Sequence, residues 1–269
     1  MATVPGRASP PADSGGIAAP HKRGRLAPGV TDEGANEKMF FWGFDPTIIV
    51  LVPAMIFAFW AQWKVRSTYQ KMSRVRAANG MTGRDMARTI MTRNGISDVG
   101  IEEVDGVLTD HYDPRVKKVR LSVNNFEGDS LASIAVAAHE VGHVMQHASG
   151  YAPLAIRSAI APVAGFASTL AFPLFLIGLF FRSSMSLFLM DLGILFFSGA
   201  VFFQLVTLPV EFNASKRALA QLTETGAIAP QEVAGAKQVL DAAALTYVAA
   251  AAMAALQLLR LVLIRNSRR

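Results

Sequence analysis

Four stretches of this chain run without a charged residue for close to the length that crosses a bilayer: residues 46–63, 158–181, 192–210 and 242–259. A spanning helix needs about 20 apolar residues, because every backbone polar group must be satisfied within the segment itself. A soluble domain scatters its apolar residues over short periodic elements; here they lie in blocks. Taking in the adjoining apolar residues, the expected spans are 46–63, 158–181, 186–210 and 242–264. Phe40, Phe41 and Trp42 precede the first block, and Trp60 and Trp63 close it, in the manner of an interfacial aromatic belt. The first apolar run begins too far into the chain for a cleavable signal peptide, so it is expected to stay as an anchor.

The remaining composition narrows the chemistry. Of the 269 residues none is cysteine, so a zinc site here can use only His, Asp or Glu. The net charge of +6 sits beside the apolar blocks, as membrane-flanking charge does, and is not read as a nucleic-acid surface. Residues 1–40 are rich in Pro, Gly, Ala and Ser without periodicity. They read as a disordered tail, and residues 265–269 as a short basic tail.

Between the first two blocks lies His139-Glu140-Val141-Gly142-His143, an H-E-x-x-H run within a stretch from Leu131 to His147 that reads as helix. Residues four apart share a helix face, so His139 and His143 can hold one Zn²⁺ together. Glu140, one residue round, is placed to take a proton from water at the metal rather than to bind the metal. The preceding residues 132–138 are small or apolar, which predicts a buried helix, and two buried imidazoles need a partner. His147 drifts away from the His139 side and reads as a helix-end histidine.

Four spans place residues 64–157 and 211–241 on the same side of the membrane. The second of these segments opens on Glu211, which is the expected third ligand. That side carries Lys64, Arg66, Lys71, Arg74, Arg76, Arg157, Lys216 and Arg217 close to the spans, and the positive-inside rule makes it the cytoplasmic one. Asp191 lies in the apolar stretch before the third block, where an ionisable group is either functional or interfacial; it is close to the turn at 182–184.

In the segment after the first span, residues 64–78 are expected to prolong the span as a basic helix that stops at Asn79-Gly80. Thr82 should cap a second helix, with Asp85 three residues on and Gly95 as terminator. Residues 104–109 and 116–122 read as two strands joined around Asp113-Pro114-Arg115, and Asp129 or Ser130 as the cap of the motif helix. An edge strand ahead of that helix suits the binding of an extended peptide. Asp110, His111 and Tyr112 are polar enough to supply a donor for catalysis, or to be ordinary turn residues.

Several of these stretches together resemble one family, the membrane-bound neutral zinc metallopeptidases of the YugP type. They are residues 108–114 (LTDHYDP), 135–143 (AVAAHEVGH), 203–212 (FQLVTLPVEF) and 243–249 (AALTYVA). The likeness covers residues 46 to 264 and implies His139 and His143 as zinc ligands with Glu140 as the catalytic carboxylate. A more distant likeness is to the HtpX-type membrane proteases and the zinc prenyl-protein proteases, whose third ligand is a later Glu in an E-x-x-A-D run. Glu211-Phe212-Asn213-Ala214-Ser215 is similar, but Ser215 stands where that run has Asp. The carboxylate that would brace a zinc histidine is therefore missing, and Asn213 is its expected stand-in.

The resulting expectation is a mainly α-helical polytopic membrane protein with about four spanning helices and a small cytoplasmic α+β, zincin-like portion. Residues 41–264 would form the metallopeptidase domain, holding one Zn²⁺ per chain on His139, His143 and Glu211, with Glu140 as general base. Its partners would be the lipid bilayer, expected to be a bacterial plasma membrane, and a peptide or protein substrate. The rival from another class is a zinc-binding membrane scaffold without turnover, for which Glu140 has no use. A zinc transporter would want ionisable residues along several spans, and Asp191 is the one candidate.

Overall fold

The computed structural model describes residues 46–181 and 185–268. The expected disorder of residues 1–40, the aromatic cluster Phe40-Phe41-Trp42 and the turn at 182–184 lie outside the described residues. Four helical stretches are long and apolar enough to cross a membrane: Pro46–Met72, Ala152–Phe180, Ser186–Glu224 and Pro230–Asn266. The protein is a mainly α-helical polytopic membrane protein with a small strand-containing region between its first two spans.

The first stretch begins as a 3-10 turn, Pro46–Leu51, and becomes α1, Val52–Met72, with Pro53 in the first turn where its missing N–H costs nothing. It does not run on to residue 78. Residues 75–77 are drawn out instead against the start of the motif helix: Ala77 N–H donates to Asp129 O, Leu131 N–H to Val75 O, and Arg76 pairs with Asp129. Gly80 adopts positive φ in the turn that follows. The second helix, α2 (Gly83–Arg93), matches its sequence signals. Thr82 Oγ1 accepts from Asp85 N–H, and Gly95 (φ +70°) closes a Schellman pattern, its N–H reaching Thr92 O while that of Ile96 reaches Met91 O.

Three strands follow: β1 (Gly100–Val104), β2 (His111–Asp113) and β3 (Lys118–Ser122), in spatial order β1-β3-β2. β1 runs parallel to β3, with Ile101 opposite Val119, and β2 antiparallel to it, with Tyr112 opposite the same residue. Of the expected strand at 104–109 only Val104 is strand, as the last residue of β1; residues 105–109 form a loop. Gly106 and Leu108 both sit at positive φ, which breaks the pleat, and Asp110 pins the loop by accepting from Ser122 N–H, Ser122 Oγ and Asn125 Nδ2. One turn, α3 (Val123–Phe126), leads to the motif helix α4 (Leu131–Ala148), capped by Ser130 Oγ, which accepts from Ser133 N–H.

Small side chains let α4 be covered on nearly all sides, by α2, the sheet and two of the long helices. Its buried residues include Ile134, Val141 and Val144, and they form one core with Met86, Ile90, Val119 and Leu121. The remaining helices are α5 (Ala152–Phe180), α6 (Ser186–Glu224) and α7 (Val233–Asn266). α5 and α6 pair closely: a Cβ on Gly178 would fall 2.6 Å from Ser186 O, and one on Gly193 would fall 2.7 Å from Ala171 O.

Exposed large apolar side chains mark the face these helices offer to lipid. On α6 they are Phe188, Leu195, Phe202, Leu205 and Phe212, whose spacing of seven and three keeps them on one side. On α5 the corresponding band runs from Ile156 to Phe180. Each band is roughly 36 Å long at 1.5 Å per residue, enough to traverse a hydrocarbon core of about 30 Å with some tilt. At one end Asp191 of α6 meets Arg265 of α7 in a two-pronged ion pair, Nε–Oδ1 2.6 Å and Nη2–Oδ2 2.7 Å, which accounts for a carboxylate in that apolar neighbourhood. Glu211 stands at the other end, about 30 Å along the same helix.

Candidate metal centre

The motif helix reaches α6 at a point where both lack bulk. A Cβ on Gly142 would fall 2.5 Å from the carbonyl oxygen of Ala214 and 3.1 Å from its Cα, so the two backbones touch. One turn of α6 before that contact stands Glu211. One turn of α4 separates His139 from His143, and Gly142 lies between them. The close crossing therefore carries the carboxylate to both imidazoles.

Glu211 Oε2 lies 3.2 Å from His139 Nε2 and 3.5 Å from His143 Nε2. The candidate ligand atoms of the three residues all fall within 4.8 Å of one another. Zinc bound at about 2.0–2.1 Å in tetrahedral geometry sets its ligand atoms roughly 3.3 Å apart, which matches both distances. The two rings stand edge-on, 86° apart with centroids at 4.9 Å, so they converge instead of stacking. Two nitrogens and one carboxylate oxygen would leave a fourth position for water or substrate on a bound zinc, as in catalytic zinc sites.

The nitrogens turned away from this point are also engaged. His143 Nδ1 lies 3.0 Å from Gln146 Oε1, so it carries the proton and leaves Nε2 with its lone pair. Gln146 is fully buried and anchored in turn, donating to Val210 O at 2.7 Å and to Asn213 Oδ1 at 3.0 Å. His139 Nδ1 lies 3.1 Å from Ser215 Oγ. The expectation that Asn213 braces a zinc histidine is thus corrected. Ser215 itself supports His139, and Asn213 acts one step further out, through Gln146 and Arg217 Nε. A serine hydroxyl can accept the imidazole N–H as a carboxylate would, without the charge.

Glu140 is 7% exposed, and among the described residues no hydrogen bond or ion pair ties its carboxylate down. Its charge is felt by His143. Burial pulls that imidazole down, but Glu211 and Glu140 outweigh it and its pKa ends above the ordinary value.

Other residues singled out in the sequence fall elsewhere. Asp110 is consumed in holding the loop before β3, as described above. His111 Nδ1 lies 2.8 Å from Thr109 O. The Tyr112 hydroxyl lies 2.7 Å from His147 Nδ1, on the wall of a small surface cavity of about 140 Å³ that Asp98 and Lys117 also line. His147 is a helix-end histidine, as its spacing predicts.

Two neighbours of the cluster carry no signal in the motif. Arg157 Nη1, from α5, lies 3.0 Å from Glu211 Oε1, although its place in the sequence reads as a membrane-flanking charge. Tyr247, from α7, is largely buried beside Glu211 and Glu140. It lies within 243–249, one of the stretches that carry the family likeness.

Residues 47–266 match the model of a family described as "Putative neutral zinc metallopeptidase". The chain is 50% identical over 217 residues to "Putative membrane protease YugP" of Bacillus subtilis (strain 168), an alignment covering 81% of this chain and 95% of that protein. No solved structure matches.

Proposed function

This chain belongs to the neutral zinc metallopeptidase family, and from that membership we propose that it is a membrane-embedded zinc endopeptidase whose active site faces the cytoplasm. Zinc is the metal of the family, and residues 41–264 would be the working unit. The observation that carries the reading is the meeting of His139 Nε2, His143 Nε2 and Glu211 Oε2 at zinc-ligand spacing, with Glu140 untethered beside them. These three would hold the metal. When bound, zinc acidifies water and polarises a carbonyl.

The chain's own groups do the rest. Glu140 accepts the proton of the attacking water and returns it to the departing amine; its position one residue from His139 keeps it near the metal without binding it. Ser215 and Gln146 fix the ring planes, so the two imidazoles need no reorientation to receive the ion. Tyr247, beside Glu211 and Glu140, offers a hydroxyl that could donate to a developing oxyanion.

Cleavage within a chain needs a groove that does not demand a free terminus. β2 is an edge of the sheet, joined to α4 through Tyr112 and His147, and an extended segment can pair along such an edge. Orientation rests on charge. Lys64, Arg66, Lys71 and Arg74 cluster where α1 leaves the membrane on the side of the site, whereas Arg265 at the opposite end is paired with Asp191.

The test is direct. Purified protein incubated with an unfolded protein should release internal fragments, lose this activity to a zinc chelator and regain it with added zinc. Products that are only terminal residues would refute the endopeptidase reading, and activity indifferent to chelation would refute the metal mechanism.

A further inference from the structure

We infer that Arg157 is a positioning residue of the metal centre: its guanidinium occupies Glu211 Oε1, so that Oε2 alone is presented to the metal. The inference rests on the reading of Glu211 as a ligand.

The carboxylate of Glu211 is divided between two tasks. Oε2 faces both imidazoles, at 3.2 and 3.5 Å, and Oε1 faces Arg157 Nη1 at 3.0 Å. The group is only 2% exposed, so water does not compete for Oε1. An unrestrained carboxylate can close on zinc with one oxygen or with two. A cation held on Oε1 removes the second possibility and keeps the fourth position open for water or substrate.

Arginine suits the place. Arg157 lies next to Ile156, which is 48% exposed at the end of the apolar band on α5, and it reaches from there to α6. A cation at the edge of a hydrocarbon layer must keep its charge and find a partner; guanidinium does both, where an ammonium surrenders its proton more readily. The pair also ties the α5–α6 hairpin to the catalytic helix, because Glu211 touches both Arg157 and the motif histidines.

An ion pair that merely held two helices together would leave the coordination sphere unchanged when removed. The experiment reads that sphere. Full-length protein with Arg157→Gln, Arg157→Lys or Glu211→Gln is titrated with zinc against a chelator, and each form is loaded with Co²⁺ for visible spectroscopy, in which four-coordinate cobalt absorbs more strongly than five-coordinate. Arg157→Gln should weaken zinc affinity by about 10–100-fold, the usual cost of losing such a support. It should also dim the cobalt bands, as Glu211 closes on the metal with both oxygens. Arg157→Lys, keeping the charge, should recover part of both.

Wild-type affinity and spectrum in folded Arg157→Gln would overturn the inference, as would a lysine variant no better than glutamine. If Arg157→Gln does not fold, Arg157→Met, which keeps the apolar stem, is read the same way. Glu211→Gln separates the two levels. If it loses zinc while Arg157→Gln does not, the ligand assignment stands and the role of Arg157 falls. If it binds zinc like the wild type, the assignment of Glu211 itself is wrong.

Discussion

Gly142 and Ala214 touch backbone to backbone: a methyl group on the glycine would lie 2.5 Å from the alanine's carbonyl oxygen. Carbonyl oxygens of a packed helix cannot rotate away as a side-chain end can. The crossing between the motif helix and α6 is therefore set by the absence of a single carbon. Gly142→Ala should push the helices apart, costing about 1–3 kcal/mol as overpacking does and lowering zinc affinity through the displaced Glu211. Gly199→Ala is the control, since nothing lies within 4 Å of its added carbon. Thermal unfolding and zinc titration of the two variants check the contrast; equal behaviour would mean the contact is not a constraint.

In the proposed mechanism Glu140 moves a proton and does not hold the ion. Glu140→Gln should keep zinc at wild-type stoichiometry and lose about 10²–10⁴-fold in peptide hydrolysis. A variant that cleaves at the wild-type rate would remove Glu140 from the mechanism.

His143→Ala should lose zinc and activity together. The remaining imidazole and carboxylate form a two-point site, and Gln146 is left without its imidazole partner. Metal analysis after gel filtration decides it; a full equivalent of zinc in this variant would disprove the ligand set.

If His143 holds zinc as proposed, binding displaces a proton whose pKa is raised above the histidine norm of about 6.5. In the metal-free protein the favourable proton contacts are present below that norm and fade as pH climbs through the raised folded value. The metal thus competes with the proton at higher pH than an ordinary histidine would require. Apparent zinc affinity should already decline as pH falls toward about 6.5 and steepen below it. Chelator competition across that range measures this, and a flat profile would contradict it.

Single cysteines at positions 93 and 225 of this cysteine-free chain should both resist an impermeant reagent in intact cells if the site is cytoplasmic. The two positions adjoin, Arg93 Nη1 donating to Thr225 O at 3.1 Å, so they must label alike. Labelling of both would invert the topology; labelling of one alone would break the fold.

Long-range features of this protein are legible in its sequence where a period or a spacing carries them. The four apolar blocks lie within the long helices apart from Phe181, and the H-E-x-x-H spacing, with Ser130 ahead of it, locates the motif helix and its cap. Following the chain through the membrane puts Glu211 on the side of the motif helix, and it lies 3.2 Å from His139 Nε2. The misplaced strand at 104–109 shows the limit: Val104, Val107, Leu108 and Thr109 have strand-forming side chains, but Gly106 and Leu108 turn the backbone, and Asp110 serves residues 12 and 15 positions away. The helix expected to reach residue 78 failed for a similar reason, since residues 75–77 are claimed by the chain at 129–131. Arg157 and Ser215 were hidden because each does its work across helices, where local propensity carries no information.

Phe188, Phe212 and Glu211 share one continuous helix, with no loop between the lipid-facing residues and Glu211, although Pro209 lies inside it two residues before the carboxylate. A loop would absorb movement; a helix transmits it, except where a proline removes one of its hydrogen bonds. If the bilayer thins or thickens, α6 must tilt to match, and the carboxylate is carried with it relative to the motif helix. Pro209 therefore sets how much of such a tilt would reach Glu211 and the two imidazoles.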